Sequence, residues 1–342
     1  MSIDIIISLV KAFLILGLLL TNTILLIWLE RKVVAGMQSR VGPDRAGPFG
    51  ILQTLADAIK LLLKEQIMPL KADRAMYLLA PILALVPSFL IFMIIPLGPD
   101  LNIEVGGKNY AIDFVGADLN VGVLYFLALS SIAVYSVVLA GWSSGSKYPL
   151  LGGVRASAQM ISYEAAMGLS LVPVILYSGS LSLVDIVSSQ AGNLSTSIPI
   201  LSSIVSFIPK WNIFPQFIAF GIFFIAAIAE VNRAPFDLVE AEQELVGGFH
   251  TEYSGFRFAM FFLAEYINMF NMCAITATFF LGGWLGPTFE NFLPPVLSAI
   301  MPIIWLGVKT FLLLFIFVWI RATLPRLRYD QLMELGWKRL IP

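Results

Sequence analysis

Four ionisable side chains lie inside stretches that are otherwise apolar, where they could take up and release protons. Glu164, Glu230, Glu265 and Lys309 interrupt runs of Leu, Ile, Phe and Ala. A charge at the centre of a membrane helix costs about 2.5–3.5 kcal/mol on insertion scales, so such groups normally face water or a bundle interior. They therefore indicate a path for protons or ions. The alternative is a static buried ion pair, for example Lys309 with a glutamate.

A second group of acids lies in one polar segment, which reads AEVNRAPFDLVEAEQELVGGFHTEYSG from residue 229. Its acids outnumber its main base, Arg233, and they are Asp237, Glu240, Glu242, Glu244 and Glu252. If the segment were helical, Asp237, Glu240 and Glu244 would share one face and repel one another. Crowded carboxylates hold protons more readily than isolated ones. The segment is therefore either a proton-accepting cluster or a solvated loop.

The composition places these groups in a membrane protein. Of the 342 residues, 58% are hydrophobic and 13% are charged, and the mean hydropathy is +0.88. A soluble domain is about 45–50% apolar and about 25% charged. One cysteine, Cys273, and one histidine, His250, exclude an internal disulfide, a cysteine-held iron–sulfur cluster and a two-histidine metal site. We expect no metal, redox centre, catalytic residue or nucleic-acid partner for the chain alone.

Seven apolar stretches are long enough to cross a bilayer, which needs about 20 residues of helix. Helices are expected because they satisfy their backbone polar groups internally. The predicted spans are 3–29, 74–97, 120–141, 157–178, 213–231, 256–281 and 298–320. The sequence therefore predicts an all-α integral membrane protein with a single transmembrane domain, 1–342.

The positions of Lys and Arg predict the orientation. With the N-terminus outside, the inner segments are 30–73, 142–156, 232–255 and the tail from 321. With Arg74 and Arg257 assigned to the same side, it holds 17 of the 21 basic residues, and the outer loops hold two. Segments 30–73 and 232–255 are thus predicted to be cytoplasmic-side loops.

The first inner segment contains a predicted amphipathic helix, Phe49–Lys64. Its apolar residues recur at helical spacing, whereas Asp57 and Lys60 fall on another face. It is too short and too charged to span a bilayer, so we expect it to lie along the membrane surface. It is either a surface anchor or the wall of a cavity for a lipid-like ligand.

Several long motifs carry a family resemblance. They read ERKVVAGMQSRVGPDRAGPFGILQTLADAIKLLLKE, SAQMISYE, AEVNRAPFDLVEAEQELVGGFHTEYSG, FLAEYINM and WIRATLPRLRYDQLMELGWK. In this order they closely resemble the quinone-chamber membrane subunit of respiratory complex I, the NADH:quinone oxidoreductase. This protein is named the H subunit in bacteria, and in mitochondria it is the first of the numbered membrane subunits. The resemblance runs from about residue 28 to the last residue.

The resemblance implies a non-redox subunit of a proton-pumping translocase. Such a subunit joins the peripheral redox arm to the membrane arm and lines the tunnel by which quinone leaves the lipid. Quinone is the substrate, and the iron–sulfur clusters and FMN are held by partner subunits. The implied partners are the quinone-site subunits of the peripheral arm, small membrane-arm subunits and lipid. The implied location is the bacterial cell inner membrane rather than an organellar one.

The resemblance also assigns residues. Those implied for the quinone chamber and arm docking are Glu30, Gln38, Arg40, Asp44, Asp57, Lys60 and Arg233. Those implied for proton coupling are Glu164, Glu230, Asp237, Glu240, Glu242, Glu244, Glu252 and Glu265. Family members usually continue into one more transmembrane helix, so we expect an eighth span beyond Pro342.

Three alternatives stay open from the sequence. Ferredoxin-using complexes and membrane-bound hydrogenases contain similar subunits. A stand-alone secondary transporter of protons or sodium would also carry acids inside its spans. A purely structural anchor would explain the basic inner segments, but it would not explain those acids.

Overall fold

The computed structural model describes most of the chain. The described residues are 3–99, 101–105, 108–112, 114–193, 209–237, 246–287 and 295–342. Glu240, Glu242 and Glu244 lie outside them, so their predicted role in the acidic segment is not addressed by the structure.

The described residues fold almost entirely as helices. These are α1 (Ile3–Met37), α2 (Gln53–Leu63), α3 (Arg74–Met93), α4 (Gly122–Ser143), α5 (Lys147–Ser178), α6 (Leu183–Ser189), α7 (Phe217–Glu230), α8 (Gly255–Phe280), α9 (Pro295–Thr323) and α10 (Tyr329–Glu334). A π-helical turn, Leu335–Leu340, continues α10, and 3₁₀ turns form at Pro48–Gly50 and Gly248–His250. One antiparallel hairpin pairs β1 (Leu101–Val105) with β2 (Lys108–Ile112).

Each of the seven predicted spans contains an apolar helix. Six helices are long and apolar enough to cross a membrane, and they lie in α1, α3, α4, α5, α8 and α9. The remaining helix, α7, has 14 residues and so is about 21 Å long, which is shorter than a hydrocarbon core of about 30 Å. The prediction of an all-α integral membrane protein is confirmed.

The predicted inner segments gather at one end of the bundle. The Asp73 amide donates to the Ser143 carbonyl at 3.0 Å, and the Leu327 amide donates to the Pro235 carbonyl at 3.1 Å. The Ile67 amide donates to the Ser254 hydroxyl at 2.9 Å. These contacts join all four inner segments. The grouping agrees with the predicted topology, and the assignment of this end to the inner side stays a prediction.

The helix of the predicted span 157–178 begins earlier than expected, because α5 starts at Lys147, within the predicted inner segment 142–156. Close packing explains the longer helix. A Cβ atom on Gly141 of α4 would lie 2.5 Å from the Pro149 carbonyl oxygen and 3.2 Å from the Gly153 Cα, so only glycine permits this approach. The two helices therefore pack backbone to backbone, and α5 continues about ten residues beyond its predicted start.

A proline in α3 helps to fix the segment before α8. Pro81 has no amide hydrogen, which leaves the carbonyl of Tyr77, four residues earlier, without its helical donor. The Tyr253 hydroxyl donates to that carbonyl at 3.3 Å, and the two tyrosine rings stack with centroids 4.1 Å apart. The Tyr77 hydroxyl in turn donates to the Glu252 carbonyl at 2.7 Å. These contacts hold the end of the acidic segment against α3.

The predicted surface helix forms, with shorter bounds than expected. A 3₁₀ turn at Pro48–Gly50 precedes α2, which covers Gln53–Leu63 rather than Phe49–Lys64. Its apolar side chains are uncovered in this chain, and they are Leu52, Leu55, Ile59, Leu62 and Leu63. An exposed apolar face of this kind marks a surface for membrane or a partner.

Candidate functional site

The segment after α7 is fixed by one side chain of α5. The Gln159 amide nitrogen donates to the carbonyls of Ala229 and Phe236, each at 2.9 Å, and lies 3.2 Å from the Asn232 side-chain oxygen. Gln159 is fully buried, so these bonds form away from water. They hold the turn that carries Glu230, Arg233 and Asp237, which places three predicted site residues in fixed positions.

A buried ion cluster forms where α1, α8, α9 and this turn converge. Arg233 Nε lies 2.8 Å from Glu265 Oε1, and Arg233 Nη1 lies 3.6 Å from Glu30 Oε1. The Arg233 guanidinium also lies over the ring of Tyr266, 4.5 Å from its centroid. Arg233 and Glu30 are only 4% and 5% exposed. Arg233 thus links two carboxylates from different helices.

Glu30 has two further partners in this cluster. The Tyr266 hydroxyl donates to Glu30 Oε2 at 2.6 Å, and the Arg321 guanidinium of α9 donates to Glu30 Oε1. Two carboxylates and two guanidinium groups therefore balance in charge. A buried charge is tolerated only when partners and hydrogen bonds replace its hydration. The cluster meets that condition for Glu30, which has a partner on each oxygen.

A second pair of acids lies nearby, on α5 and α7. The carboxylate of Glu164 accepts hydrogen bonds from the hydroxyls of Ser130 and Ser131, the former at 3.1 Å. Its charge interacts with that of Glu230, which is 5% exposed. No oppositely charged partner of Glu164 or Glu230 is found among the ion pairs of the described residues. This pair therefore differs from Glu30 and Glu265, whose carboxylates both pair with the guanidinium of Arg233.

A cavity of about 60 Å³ lies between the two groups. Both Glu230 and Glu265 line it, together with His250, Asn268, Ser136 and Asn232, and apolar side chains of α3, α4, α5 and α8 complete its wall. Each water needs roughly 10–15 Å³ measured this way, so a few waters fit. Glu265 therefore belongs to the ion cluster and also borders this cavity.

Two buried oxygens support hydration of the cavity. Glu230 Oε2 and Asn268 Oδ1 have no hydrogen-bond partner within the described residues, and both side chains line the same space. Buried polar atoms are almost always satisfied by protein or ordered water. A cavity with room for water beside two such atoms is the arrangement in which water completes the bonding.

The described ends of the acidic segment lie at the rim of the site. Asp237 is 5% exposed, and Arg326 Nη2 donates to its Oδ2 at 3.3 Å. Glu252 contributes its backbone carbonyl to the contact with Tyr77, and its side chain does not line the cavity. The structure therefore brings Asp237 next to Arg233 in the same turn, and it places Glu252 farther along the chain.

The residues implied for the chamber and arm docking lie mainly on the surface. Arg31 Nη1 contacts Asp57 Oδ2 at 2.7 Å, and Lys32 Nζ contacts Asp44 Oδ1 at 3.4 Å. Gln38 and Arg40 bond each other at 2.7 Å. Lys60 is exposed on α2. Of the predicted chamber residues, only Glu30 and Arg233 belong to the buried cluster. The helix α2 does not line the cavity of Glu230 and Glu265.

Lys309 is held differently from the sequence expectation. Its ammonium group donates to the carbonyls of Leu281, Gly283 and Leu285, the first two at 2.6 and 2.9 Å. It also lies 4.2 Å from the centroid of the Trp211 ring. The suggested pairing with a glutamate is therefore wrong within the described residues, because backbone dipoles and an aromatic face take that place.

Sequence reasoning missed five residues that build the site: Gln159, His250, Tyr266, Arg321 and Arg326. Gln159, His250 and Tyr266 lie in motifs that were singled out because of their acids. Arg321 and Arg326 entered the sequence analysis only as basic residues of the tail. The available signal was their position inside the long motifs. Their contacts join residues far apart in the chain, for example Arg321 and Glu30, which are 291 positions apart.

Comparisons with known proteins match nearly the whole chain. The profile of the NADH dehydrogenase family matches residues 10–342. The chain is 49% identical over 344 residues to the H subunit, number 2, of the NADH-quinone oxidoreductase of Koribacter versatilis, covering 98% of this chain and 93% of that protein. It is 50% identical to the H subunit, number 1, of the same enzyme from Geobacter metallireducens, and the match covers 100% of this chain and 94% of that protein.

The H subunit of the NADH-quinone oxidoreductase of Frankia alni is 51% identical, covering 98% of this chain and 69% of that longer protein. The resemblance inferred from the motifs is thereby confirmed over nearly the whole chain. The chain belongs to the NADH dehydrogenase family.

Proposed function

We propose that this chain is the membrane subunit of a proton-pumping NADH:quinone oxidoreductase that lines the quinone chamber and couples quinone reduction to proton translocation. One observation carries the proposal. The ion cluster of Glu30, Arg233 and Glu265 adjoins a cavity that is also lined by Glu230, the neighbour of Glu164. Acids thus follow one another from the inner end of the bundle into its interior.

Long-range electrostatics supply the coupling. Reduction of a quinone adds two electrons and requires two protons, so negative charge develops near the inner end. At an effective dielectric constant of about 20, a unit charge about 15 Å away acts with about 1 kcal/mol, a several-fold change in a protonation equilibrium. Buried acids near such a charge therefore respond without contacting the quinone.

Arg233 is placed to transmit this response. It faces Glu30 and Glu265 together, so a shift of the guanidinium towards new negative charge would leave Glu265 less compensated. Glu265 would then take up a proton from the cavity that it shares with Glu230. The charge repulsion between Glu230 and Glu164 passes the change to α5.

The partners follow from the same proposal. Quinone is the substrate, and iron–sulfur clusters and FMN in partner subunits deliver the electrons. The exposed segment with Gln38, Arg40, Asp44, Asp57 and Lys60 faces the peripheral-arm subunits and the chamber. The uncovered apolar face of α2 rests on lipid, and the chain lies in the bacterial inner membrane. Asp237, Glu240, Glu242, Glu244 and Glu252 belong to the proton-coupling segment.

The test uses the intact complex in proteoliposomes. Glu265→Gln and Glu230→Gln should each slow coupled quinone reduction and proton pumping at least about tenfold, because neither amide can hold the transferred proton. NADH oxidation by an artificial acceptor should continue, since it needs only the redox arm. Glu334→Gln is the matched control, because Glu334 is exposed and pairs with Lys338 on the surface. Normal pumping in both variants would reject the coupling role.

A stand-alone transporter of protons or sodium is the rival from another class. It would purify as a monomer or homo-oligomer, whereas this chain should copurify with iron–sulfur proteins and several membrane subunits. The electron donor distinguishes the proposed complex from the remaining alternative, because a ferredoxin-using or hydrogenase-type complex would not oxidise NADH. No feature of the described residues favours either rival.

A further inference from the structure

The cavity shared by Glu230 and Glu265 is bordered by two segments that are not α-helical. One is the turn after α7, which carries Asn232, and the other is the 3₁₀ turn Gly248–His250 of the predicted inner-side segment. His250 lines the cavity and is partly exposed, whereas Glu230 is 5% exposed. Among the titratable residues that line the cavity, His250 is the one that lies in a turn of the predicted inner-side segment, whereas Glu230 and Glu265 lie on helices.

The contacts of His250 fix its tautomer. Its Nδ1 lies 3.1 Å from the Gly247 carbonyl oxygen. A carbonyl oxygen only accepts hydrogen bonds, so Nδ1 must carry a hydrogen in this contact. In the neutral ring Nε2 is then an acceptor. One nitrogen holds the turn, and the other is the atom at which a proton can be gained and lost.

Aromatic neighbours fix the orientation of the ring. The centroid of Phe249 lies 3.9 Å from that of His250, and those of Phe258 and Phe261 lie 5.9 and 6.1 Å away. Phe249 and Phe261 also line the cavity. Packing among three rings restricts rotation of the imidazole, so His250 stays beside the cavity.

We propose that His250 is the group through which protons from the inner aqueous side enter the cavity of Glu230 and Glu265, a role that rests on the proposed coupling function. In each transfer the Nε2–H bond of the imidazolium breaks and an O–H bond forms on a carboxylate, directly or through water. The imidazolium and the carboxylate both become neutral. A proton taken from the inner side then restores the imidazolium.

The choice of this residue follows from chemistry as well as position. Imidazole is the side chain whose ordinary proton exchange falls in the neutral range. The other titratable groups that line the cavity are Glu230 of α7 and Glu265 of α8, and both are acceptors in this scheme. No other histidine is available for the role, because the sequence contains only one.

The first experiment separates proton exchange from the fold of the turn. In His250→Asn the side-chain amide can still donate to the Gly247 carbonyl, but it cannot hold a transferable proton. Coupled quinone reduction and pumping by the intact complex in proteoliposomes should fall about tenfold, less than the 10²–10⁴ typical of direct acid–base groups because cavity water remains. Assembly and NADH oxidation by an artificial acceptor should be unchanged.

Thr251→Ala is the matched control. The Thr251 hydroxyl donates to the Gly248 carbonyl at 2.7 Å, so it stabilises the same turn, but it does not line the cavity. Pumping should therefore stay close to the wild-type rate. If Thr251→Ala and His250→Asn slow pumping equally, the effect of His250 comes from turn structure and the inference is wrong.

Chemical rescue gives a second readout. His250→Ala leaves space beside the cavity, and added imidazole should restore pumping several-fold by supplying the missing acid–base group. Lack of rescue together with normal pumping in His250→Asn would overturn the inference. If Glu230→Gln and Glu265→Gln are impaired while His250→Asn is normal, only the entry role fails. If all three are normal, the proposed function itself fails.

Discussion

The two ends of the bundle bury charge in different ways. At the end predicted to be outer, the ammonium group of Lys309 is enclosed by three carbonyls and the face of Trp211. At the end predicted to be inner, Arg233 lies between Glu30 and Glu265, and Glu265 also borders the cavity that it shares with Glu230. One environment is made of fixed backbone dipoles, whereas the other is made of groups that can themselves change charge.

This difference separates a structural charge from a responsive one. Backbone carbonyls cannot be protonated, so the surroundings of Lys309 have one electrostatic state. The inner cluster has several states, because each carboxylate can gain a proton and each guanidinium can change partner. Burial of an ionisable residue is therefore a weak sign of coupling by itself. The nature of its partners and the presence of a cavity decide between the two roles.

The largest effect should come from Arg233→Ala, which leaves Glu30 and Glu265 without their shared cation. Breaking a buried ion pair by removing one partner costs about 3–5 kcal/mol. We expect a large loss of assembled complex and a lower unfolding temperature, measured on the detergent-solubilised complex. Arg328→Ala is the control, because Arg328 pairs with Asp330 on the surface, where such pairs contribute about 0–1 kcal/mol. Equal stability of the two variants would contradict a buried inner cluster.

An intermediate effect is expected for Lys309→Met. Three carbonyls lose their donor, and an unsatisfied buried acceptor costs about 1–3 kcal/mol. The unfolding temperature should fall, yet pumping per assembled complex should match the wild type because Lys309 contacts neither the carboxylates of the ion cluster nor the cavity of Glu230 and Glu265. Lys11→Met is a control in an apolar stretch of α1. Quinone reduction without proton pumping in Lys309→Met would contradict the assignment of Lys309 as a purely structural charge.

The smallest effect should come from Ser131→Ala, which removes one hydroxyl donor from Glu164 and leaves Ser130 in place. Loss of a hydrogen bond to a charged group is worth about 1.5–3 kcal/mol, reduced here by the remaining donor. Pumping should slow several-fold with little change in stability. Ser157→Ala is the matched control, since the Ser157 hydroxyl donates to the Val154 carbonyl of its own helix. Slower pumping in the control alone would argue against a role for Glu164.

The helices were largely predictable because lipid imposes a simple rule on length and polarity. All seven apolar stretches contain helices near their predicted positions, and the acids that interrupt them identify Glu230 and Glu265 without knowledge of any contact. The start of α5 was predicted too late because apolar length defined the span, and Lys147 and Arg155 lie outside the apolar stretch. Glycine packing between α4 and α5, which no hydropathy pattern records, extends that helix inward.

The partners of the buried charges were much less predictable. Backbone carbonyls leave no mark in a sequence, so the surroundings of Lys309 could not be inferred. Arg321 meets Glu30 only because α1 and α9 lie side by side, and this adjacency depends on tertiary packing. A single histidine excludes a two-histidine metal site but indicates nothing more by itself. The place of His250 beside Glu230 becomes visible only once the turn and the helices are assembled.

One contact between glycines joins the turn of His250 to α5. A Cβ atom on Gly152 would lie 2.8 Å from the Gly248 Cα, so the two backbones touch with no side chain between them. Compliant side chains usually absorb small displacements of a helix, but this contact has none to do so. A tilt of α5 at Gly152 would therefore displace the turn of His250 directly, and a neighbouring subunit that moved this helix would shift His250 relative to Glu230 without contacting any ionisable residue.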